Sequence, residues 1–279
     1  MTASSPAQPA RPARSARPAP PARPVQQRAR ARSFNSAAAQ YAANRPSYPP
    51  ALLDTIEEEA GRPLAGARTV DVGAGTGIAT ALLRARDADV VAVEPGDGMA
   101  AEFRRRLPDV PLVRGDGDAL PFADASADLV TYAQSWHWTR PDRSVPEALR
   151  VLRPGGALAL WWNMDALDVP WIAAQERRLK EFFGADSPGK KGSGGIPAEA
   201  AFAAVPGVPP HSSHRIRWSR TVPVDTHLAN ISSHSIFLMR GAEGCAAFLA
   251  AERDHLLDAF PDGHVEEVYD VLLLLTRRS

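Results

Sequence analysis

From Ser33 onward, short apolar blocks alternate with stretches of helical character along the chain. Residues 50–60 read as a helix, 69–73 as a short apolar strand and 77–86 as a second helix. The alternation continues with a strand at 89–94, a helix at 98–107, strands at 111–115 and 128–133, and a helix at 145–152. A Pro154-Gly155-Gly156 turn then leads into an apolar strand at 157–163. Strands alternating with helices of about ten residues imply crossover units and a parallel sheet. The strands are apolar on both faces, as expected where helices cover both sides. After Asn163 the rhythm breaks. Residues 171–183 form an amphipathic helix pattern, 187–195 a Gly/Ser/Lys loop, 214–222 a strand, 244–260 a long helix and 265–276 a last strand. The expected fold is a doubly wound, seven-stranded, mostly parallel sheet. Helices lie on both faces, and 214–222 and 265–276 form an antiparallel final pair.

One segment carries most of the chemistry. Val70-Asp71-Val72-Gly73-Ala74-Gly75-Thr76-Gly77 sits between a predicted strand and a predicted helix. Glycines there allow a tight turn and close approach of a ligand to backbone N–H groups. The spacing is Gly-x-Gly-x-Gly rather than the Gly-x-Gly-x-x-Gly of dinucleotide sites. An acid two residues before the first glycine repels phosphate and suits a ligand bearing an ammonium group. Two further acids end the next strands. Glu94 is placed to accept both hydroxyls of a ribose, and Asp116, in Gly115-Asp116-Gly117-Asp118, to meet an adenine amino group. Each acid taken singly also reads as solvated surface.

These pieces in succession resemble the class I S-adenosylmethionine-dependent methyltransferases, in particular those acting on small molecules. The matching residues are Asp71 to Gly77, Val93-Glu94-Pro95, Gly115-Asp116, Ala119-Leu120-Pro121-Phe122 and Arg150-Val151-Leu152-Arg153-Pro154-Gly155-Gly156. Ser135-Trp136-His137-Trp138 and the segment Phe34, Tyr41, Arg45-Pro46-Ser47-Tyr48-Pro49-Pro50 are similar to a subgroup that includes trans-aconitate-type enzymes. The resemblance implies S-adenosylmethionine as cofactor. It implies that Tyr41, Arg45, Asp71, Gly73, Ala74, Gly75, Gly77, Glu94, Pro95, Met99, Asp116, Gly117 and Ala133 surround that cofactor. Arg45 is expected to pair with the methionine carboxylate or with an acidic acceptor; a plain surface arginine is the alternative.

Methyl transfer from a sulfonium is an in-line displacement, so the protein chiefly aligns a nucleophile and excludes water. His137 is the candidate base, since imidazole titrates near neutral pH; the competing reading is a packed histidine between two tryptophans. Trp136, His137, Trp138 and Asn163 are the expected acceptor-side residues, although core packing would account for some of the tryptophans. His211-x-x-His214 lacks a third ligand and lies in Pro-rich surroundings, so no metal is expected. The loops that grip a flipped base, a protein arginine or a catechol-bound metal are missing. A small molecule is therefore the expected partner rather than nucleic acid or membrane. The rival functions are a non-catalytic S-adenosylmethionine-binding protein and a nucleotide-dependent oxidoreductase.

Composition alters this picture at one end only. The 32 basic and 32 acidic residues sum to zero, yet residues 1–33 hold seven arginines and no acid, so the remainder is net acidic by seven. With seven prolines and few large apolar side chains, 1–33 is expected to be a disordered tail. A transit peptide and a weak nucleic-acid contact are its other readings. Residues 34–279 then form the methyltransferase domain: a cofactor core at 34–163, a variable cap at 164–213 and C-terminal elements at 214–279. No apolar run approaches the roughly 20 residues of a membrane helix. The single cysteine, Cys245, points to a reducing, cytoplasmic setting.

Overall fold

The computed structural model describes residues 38–184 and 196–279. The readings made for the 1–33 tail, for Phe34 and for the 187–195 loop lie outside the described residues. Seven strands form one sheet: β1 Arg68–Val72, β2 Asp89–Val93, β3 Leu112–Val113, β4 Ala127–Ala133, β5 Leu152–Asp165, β6 His211–Pro223 and β7 His264–Arg277. Their order is β3-β2-β1-β4-β5-β7-β6. Every pairing from β3 across to β5 is parallel, whereas β7 runs antiparallel to both β5 and β6. Chain order reverses between β1 and β4, and a ligand crevice opens at such a switch point, beyond the carboxyl ends of the strands.

Alternation along β5 divides the core. Leu158, Leu160 and Trp162 join one apolar cluster, while Ala157, Ala159 and Trp161 join the other, because successive side chains leave opposite faces of a strand. Helices α2 (Pro50–Ala60) and α3 (Ile78–Ala85) cover the second face through Leu52, Ile56 and Leu83. The first face is covered by α5 (Pro141–Val151) and α7 (Ile196–Ala203) through Val145, Ala148 and Phe202. Helix α4 (Asp97–Arg106) packs Phe103 against Ala74 and Ala92 at the β2 end. A third cluster, outside the sheet, joins α6 (Pro170–Phe183), α8 (Val224–Ser232), α9 (Ser235–Arg240) and α10 (Ala242–Ala259). A short N-terminal helix, α1 (Ala38–Asn44), precedes α2. Among the described residues no helix is long and apolar enough to cross a membrane.

Three expectations need correction. Pro154-Gly155-Gly156 is not a turn ahead of a strand. It lies within β5, bulged out between the Ala127–Leu152 and Leu129–Ala157 pairs, where Gly155 and Gly156 hydrogen-bond Arg278. Helix α5 begins at Pro141, four residues before the expected start: Pro141 suits a first turn, and Pro146 stands inside the helix. The third strand shrinks to two residues at the sheet edge. The partnership of β6 with β7 is as expected, but α8, α9 and α10 separate the two strands along the chain.

Candidate cofactor and acceptor site

The glycine loop leaves β1 and is stitched to the end of β2, because the Gly73 and Ala74 N–H groups donate to the Val93 carbonyl at 2.8 and 3.0 Å. Gly73 has φ +68°, and a Cβ there would sit 2.6 Å from Ser135 Cβ. Ser135 in turn donates to the Val72 carbonyl at 2.5 Å, locking the loop against the end of β4. Gly75 has φ +59° and faces open space, with nothing within 4 Å of an added Cβ. That opening lies where the fold places a ligand. Glu94 borders it, 7% exposed, accepting the Gly75 N–H at 2.9 Å and the Gly96 N–H at 2.6 Å. Burial raises the Glu94 pKa against the pull of those two bonds and of Arg114. Each oxygen keeps one lone pair for a further donor.

Asp71 occupies a different environment from a loop-facing acid. It is fully buried and accepts hydroxyl bonds from Thr80 of α3 at 2.6 Å and Thr131 of β4 at 2.9 Å. Burial pushes its pKa up, and the two hydroxyls oppose that shift. Asp71 thus pins β1, β4 and α3 together, with one acceptor position left on each oxygen. On the far side Asp116 is exposed, and its Oδ1 accepts the Asp118 N–H at 3.0 Å. Gly117 is buried, with its carbonyl accepting the Tyr132 hydroxyl at 3.0 Å. Met99 is buried in α4, Pro95 is exposed, and Ala133 ends β4.

Beyond β4 the chain makes a single 3₁₀ turn, Trp136–Trp138, preceded by Gln134 at φ +54°. Such a backbone for a non-glycine residue costs on the order of 1–3 kcal/mol and is found disproportionately at functional sites. Trp136 turns into the core, packed edge-on against Trp162 and Phe202, with its N–H donating to Ser144 at 3.0 Å. Trp138 lies against His137, ring centroids 4.8 Å apart. The Trp162 N–H donates to His137 Nδ1 at 3.3 Å. That bond assigns the neutral imidazole proton to Nε2, so Nε2 is a donor. Burial and the Arg45 charge lower the His137 pKa to about 4.

The N-terminal segment reaches the end of β5. Arg45 lies over the Tyr41 ring at 4.7 Å, and its buried Nε has no hydrogen-bond partner among the described residues. Its charge reaches His137, Asp165 and His234. Asn163 ties this segment down: its amide donates to the Ser47 carbonyl at 3.0 Å while its oxygen accepts the Trp218 N–H at 2.9 Å. Asp165 ends β5 as an exposed residue, with the Glu176 charge near enough to disfavour its ionised form. Asp165 and His234 were missed from sequence. Asp165 repeats the signal of an acid at a strand end, whereas nothing near His234 announces it. His211 and His214 fall three apart on β6 and so on opposite faces; one packs on Phe202 and the other lies 3.1 Å from Glu59.

Comparison with known proteins agrees with this geometry. A family model described as a methyltransferase domain matches residues 70–160. The chain is 42% identical over 160 residues, 57% of its length, to an uncharacterized methyltransferase of Mycobacterium tuberculosis, and 35% identical over 154 residues, 54% of its length, to an uncharacterized methyltransferase-like protein of Schizosaccharomyces pombe. It spans 62% and 59% of those two relatives. Among solved structures, a putative type II methyltransferase from Anaeromyxobacter dehalogenans superposes with a TM-score of 0.66 at 25% identity, covering 84% of this chain and 97% of that one. Strand order, glycine loop and sequence match converge on residues 70–160, the part of the chain that is similar to methyltransferase domains.

Proposed function

We propose that the chain is a cytoplasmic enzyme moving the methyl group of S-adenosylmethionine to an oxygen of a small molecule, with a carboxylate favoured over a hydroxyl. The observation that carries this reading is the open glycine loop together with a cation near His137. Gly75 and Glu94 edge the open space at the glycine loop, and Arg45, whose buried Nε has no partner among the described residues, acts electrostatically on His137 after β4. In this reading Glu94 accepts the ribose hydroxyls, Asp116 and Gly117 border the adenine, and the open space over Gly75 admits the ligand where a side chain would obstruct it. Tyr41, Gly73, Ala74, Gly77, Pro95, Met99 and Ala133 complete the cofactor wall, and Asp71 holds the loop beneath its amino-acid end. The bound cofactor supplies a methyl group on a sulfonium, which already has a good leaving group.

The residues of the chain then align the acceptor and keep water away. His137 donates from Nε2 to an acceptor oxygen; with Nδ1 engaged and its pKa near 4, it is poorly suited to take a proton at neutral pH. A carboxylate needs no base, and the Arg45 charge that disfavours a protonated His137 also favours an anion beside it. Trp138 and Asn163 border the acceptor, while Trp136 backs the pocket from the core.

Calorimetric titration with S-adenosylhomocysteine and with NADH, followed by a labelled-methyl screen over small carboxylic acids, phenols and amines, tests the proposal. Binding of S-adenosylhomocysteine and methyl ester formation are expected. Binding of NADH alone would identify a nucleotide-dependent oxidoreductase. Cofactor binding with silence across the whole panel would identify a non-catalytic binding protein.

A further inference from the structure

The segment 38–49, which carries Tyr41 and Arg45, is anchored by Tyr48, packed edge-on against Trp161, and by hydrogen bonds at three further points. Gln40 donates to Ser232 Oγ of α8 at 3.1 Å, and Asn163 donates to the Ser47 carbonyl at 3.0 Å. Between them Arg220 of β6 donates through Nη2 to the Asn44 carbonyl at 2.8 Å and through Nη1 to the Arg45 carbonyl at 3.4 Å. These carbonyls end α1, where helical groups lack internal partners and a cation is favoured.

Arg220 is itself held by a buried polar chain. Its Nε donates to Glu267 Oε2 at 2.5 Å, and Glu267 is 2% exposed. The other Glu267 oxygen accepts from His227 Nδ1 at 2.7 Å and from Asn230 at 3.2 Å. His227 Nε2 lies 2.9 Å from the Gln175 amide nitrogen and 3.1 Å from its oxygen, and that amide also donates to Glu252, which Arg178 pairs at 2.6 Å. Burial would raise the Glu267 pKa, but His227 and Arg220 outweigh it and hold the group at about 2, so it stays ionised. The chain therefore runs from α10 and α6 through α8, β7 and β6, and ends on the peptide that carries Arg45. Neither the glycine loop nor the acceptor contacts use it.

We propose that Arg220 is a positioning residue: fixed by Glu267 and His227, it clamps the end of α1 and so aims the Arg45 guanidinium at a carboxylate in the crevice. The inference rests on the reading that Arg45 receives a carboxylate. Two sources share that chemistry, the amino-acid end of the cofactor and an acidic acceptor. Aim matters because a charged group displaced by about 1 Å can cost on the order of a hundredfold in rate.

Hydrogen exchange on the ligand-free protein tests the clamp without any ligand. Arg220→Ala is expected to lower protection of the Arg45 amide, which donates to the Tyr41 carbonyl, by about tenfold or more while sheet amides keep theirs. Arg220→Lys should recover part of it, and Arg45→Ala should leave it unchanged. Unchanged protection in Arg220→Ala, or equal loss throughout the sheet, overturns the proposal.

Titrations then identify the carboxylate, using S-adenosylhomocysteine and 5′-methylthioadenosine, which lacks the amino-acid end. A cofactor role predicts that Arg45→Ala and Arg220→Ala weaken only the former. An acceptor role predicts unchanged affinity for both and a raised KM for the carboxylic acid found in the screen, with kcat less affected. In either case the double variant should be no worse than Arg45→Ala alone; additive losses overturn the proposal. Failure of the wild type to bind S-adenosylhomocysteine would instead remove the methyltransferase reading and leave the exchange result standing.

Discussion

Glu94→Ala isolates the acid at the end of β2. In the free protein its oxygens accept the Gly75 and Gly96 N–H groups at 2.9 and 2.6 Å. Hydrogen bonds to a charged acceptor contribute about 1.5–3 kcal/mol each, but both glycines are only half-buried and water replaces part of the loss, so destabilisation of about 1–2 kcal/mol is expected. In a domain of this size that is a fall in Tm of roughly 2–8 °C. On the proposed reading the same carboxylate would face two ribose hydroxyls in the complex, and leaving them unpaired should weaken S-adenosylhomocysteine by about 1–3 kcal/mol, or roughly 5- to 150-fold. Calorimetry with S-adenosylhomocysteine and with 5′-methylthioadenosine checks this, because both carry the ribose and should weaken by the same factor. Glu94→Gln keeps one acceptor oxygen and should fall between. A lowered Tm with both affinities unchanged would refute the reasoning, reducing Glu94 to a staple between the glycine loop and β2.

Gly75→Ala and Gly73→Ala should separate ligand space from packing. At Gly75 an added methyl meets nothing within 4 Å, so only the left-handed backbone cost of about 1–2 kcal/mol applies to stability, while S-adenosylhomocysteine binding should be lost disproportionately. At Gly73 the methyl collides with Ser135 at 2.6 Å, and Tm should fall further than for Gly75→Ala; equal Tm losses would contradict this. With the His137 pKa near 4, kcat should show no inflection between about pH 6 and 8 attributable to it. A limb near pH 6.5 that disappears in His137→Ala would restore it as the base.

The cofactor half of the protein was legible because its signals are local. The turn from β1 needs glycine where φ is positive, and a carboxylate at the end of β2 follows from the strand length itself. Helix α2 matches its expected bounds, 50–60, because Pro50 suits a first turn and Gly61 adopts the left-handed cap. Local signals failed where distant chain decides the outcome. The Pro154-Gly155-Gly156 bulge stays inside β5 because Arg278, more than a hundred residues away, pairs with its backbone. Helices α1, α8 and α9 went unread, since they are short and find their partners in one another and in the sheet edge.

The sequence by itself thus determined the alternating architecture, the similarity to methyltransferase domains and the glycine loop after β1, since period, turn chemistry and spacing are properties of neighbouring residues. Only the tertiary structure decided what those residues can do. It buried Asp71 between Thr80 and Thr131, and put the His137 proton on Nε2 by way of Trp162. It brought Arg220 from β6 to the end of α1, across 175 residues of chain. Protonation states and aim depend on which distant groups share a small volume, and that is settled by packing rather than by local order along the chain.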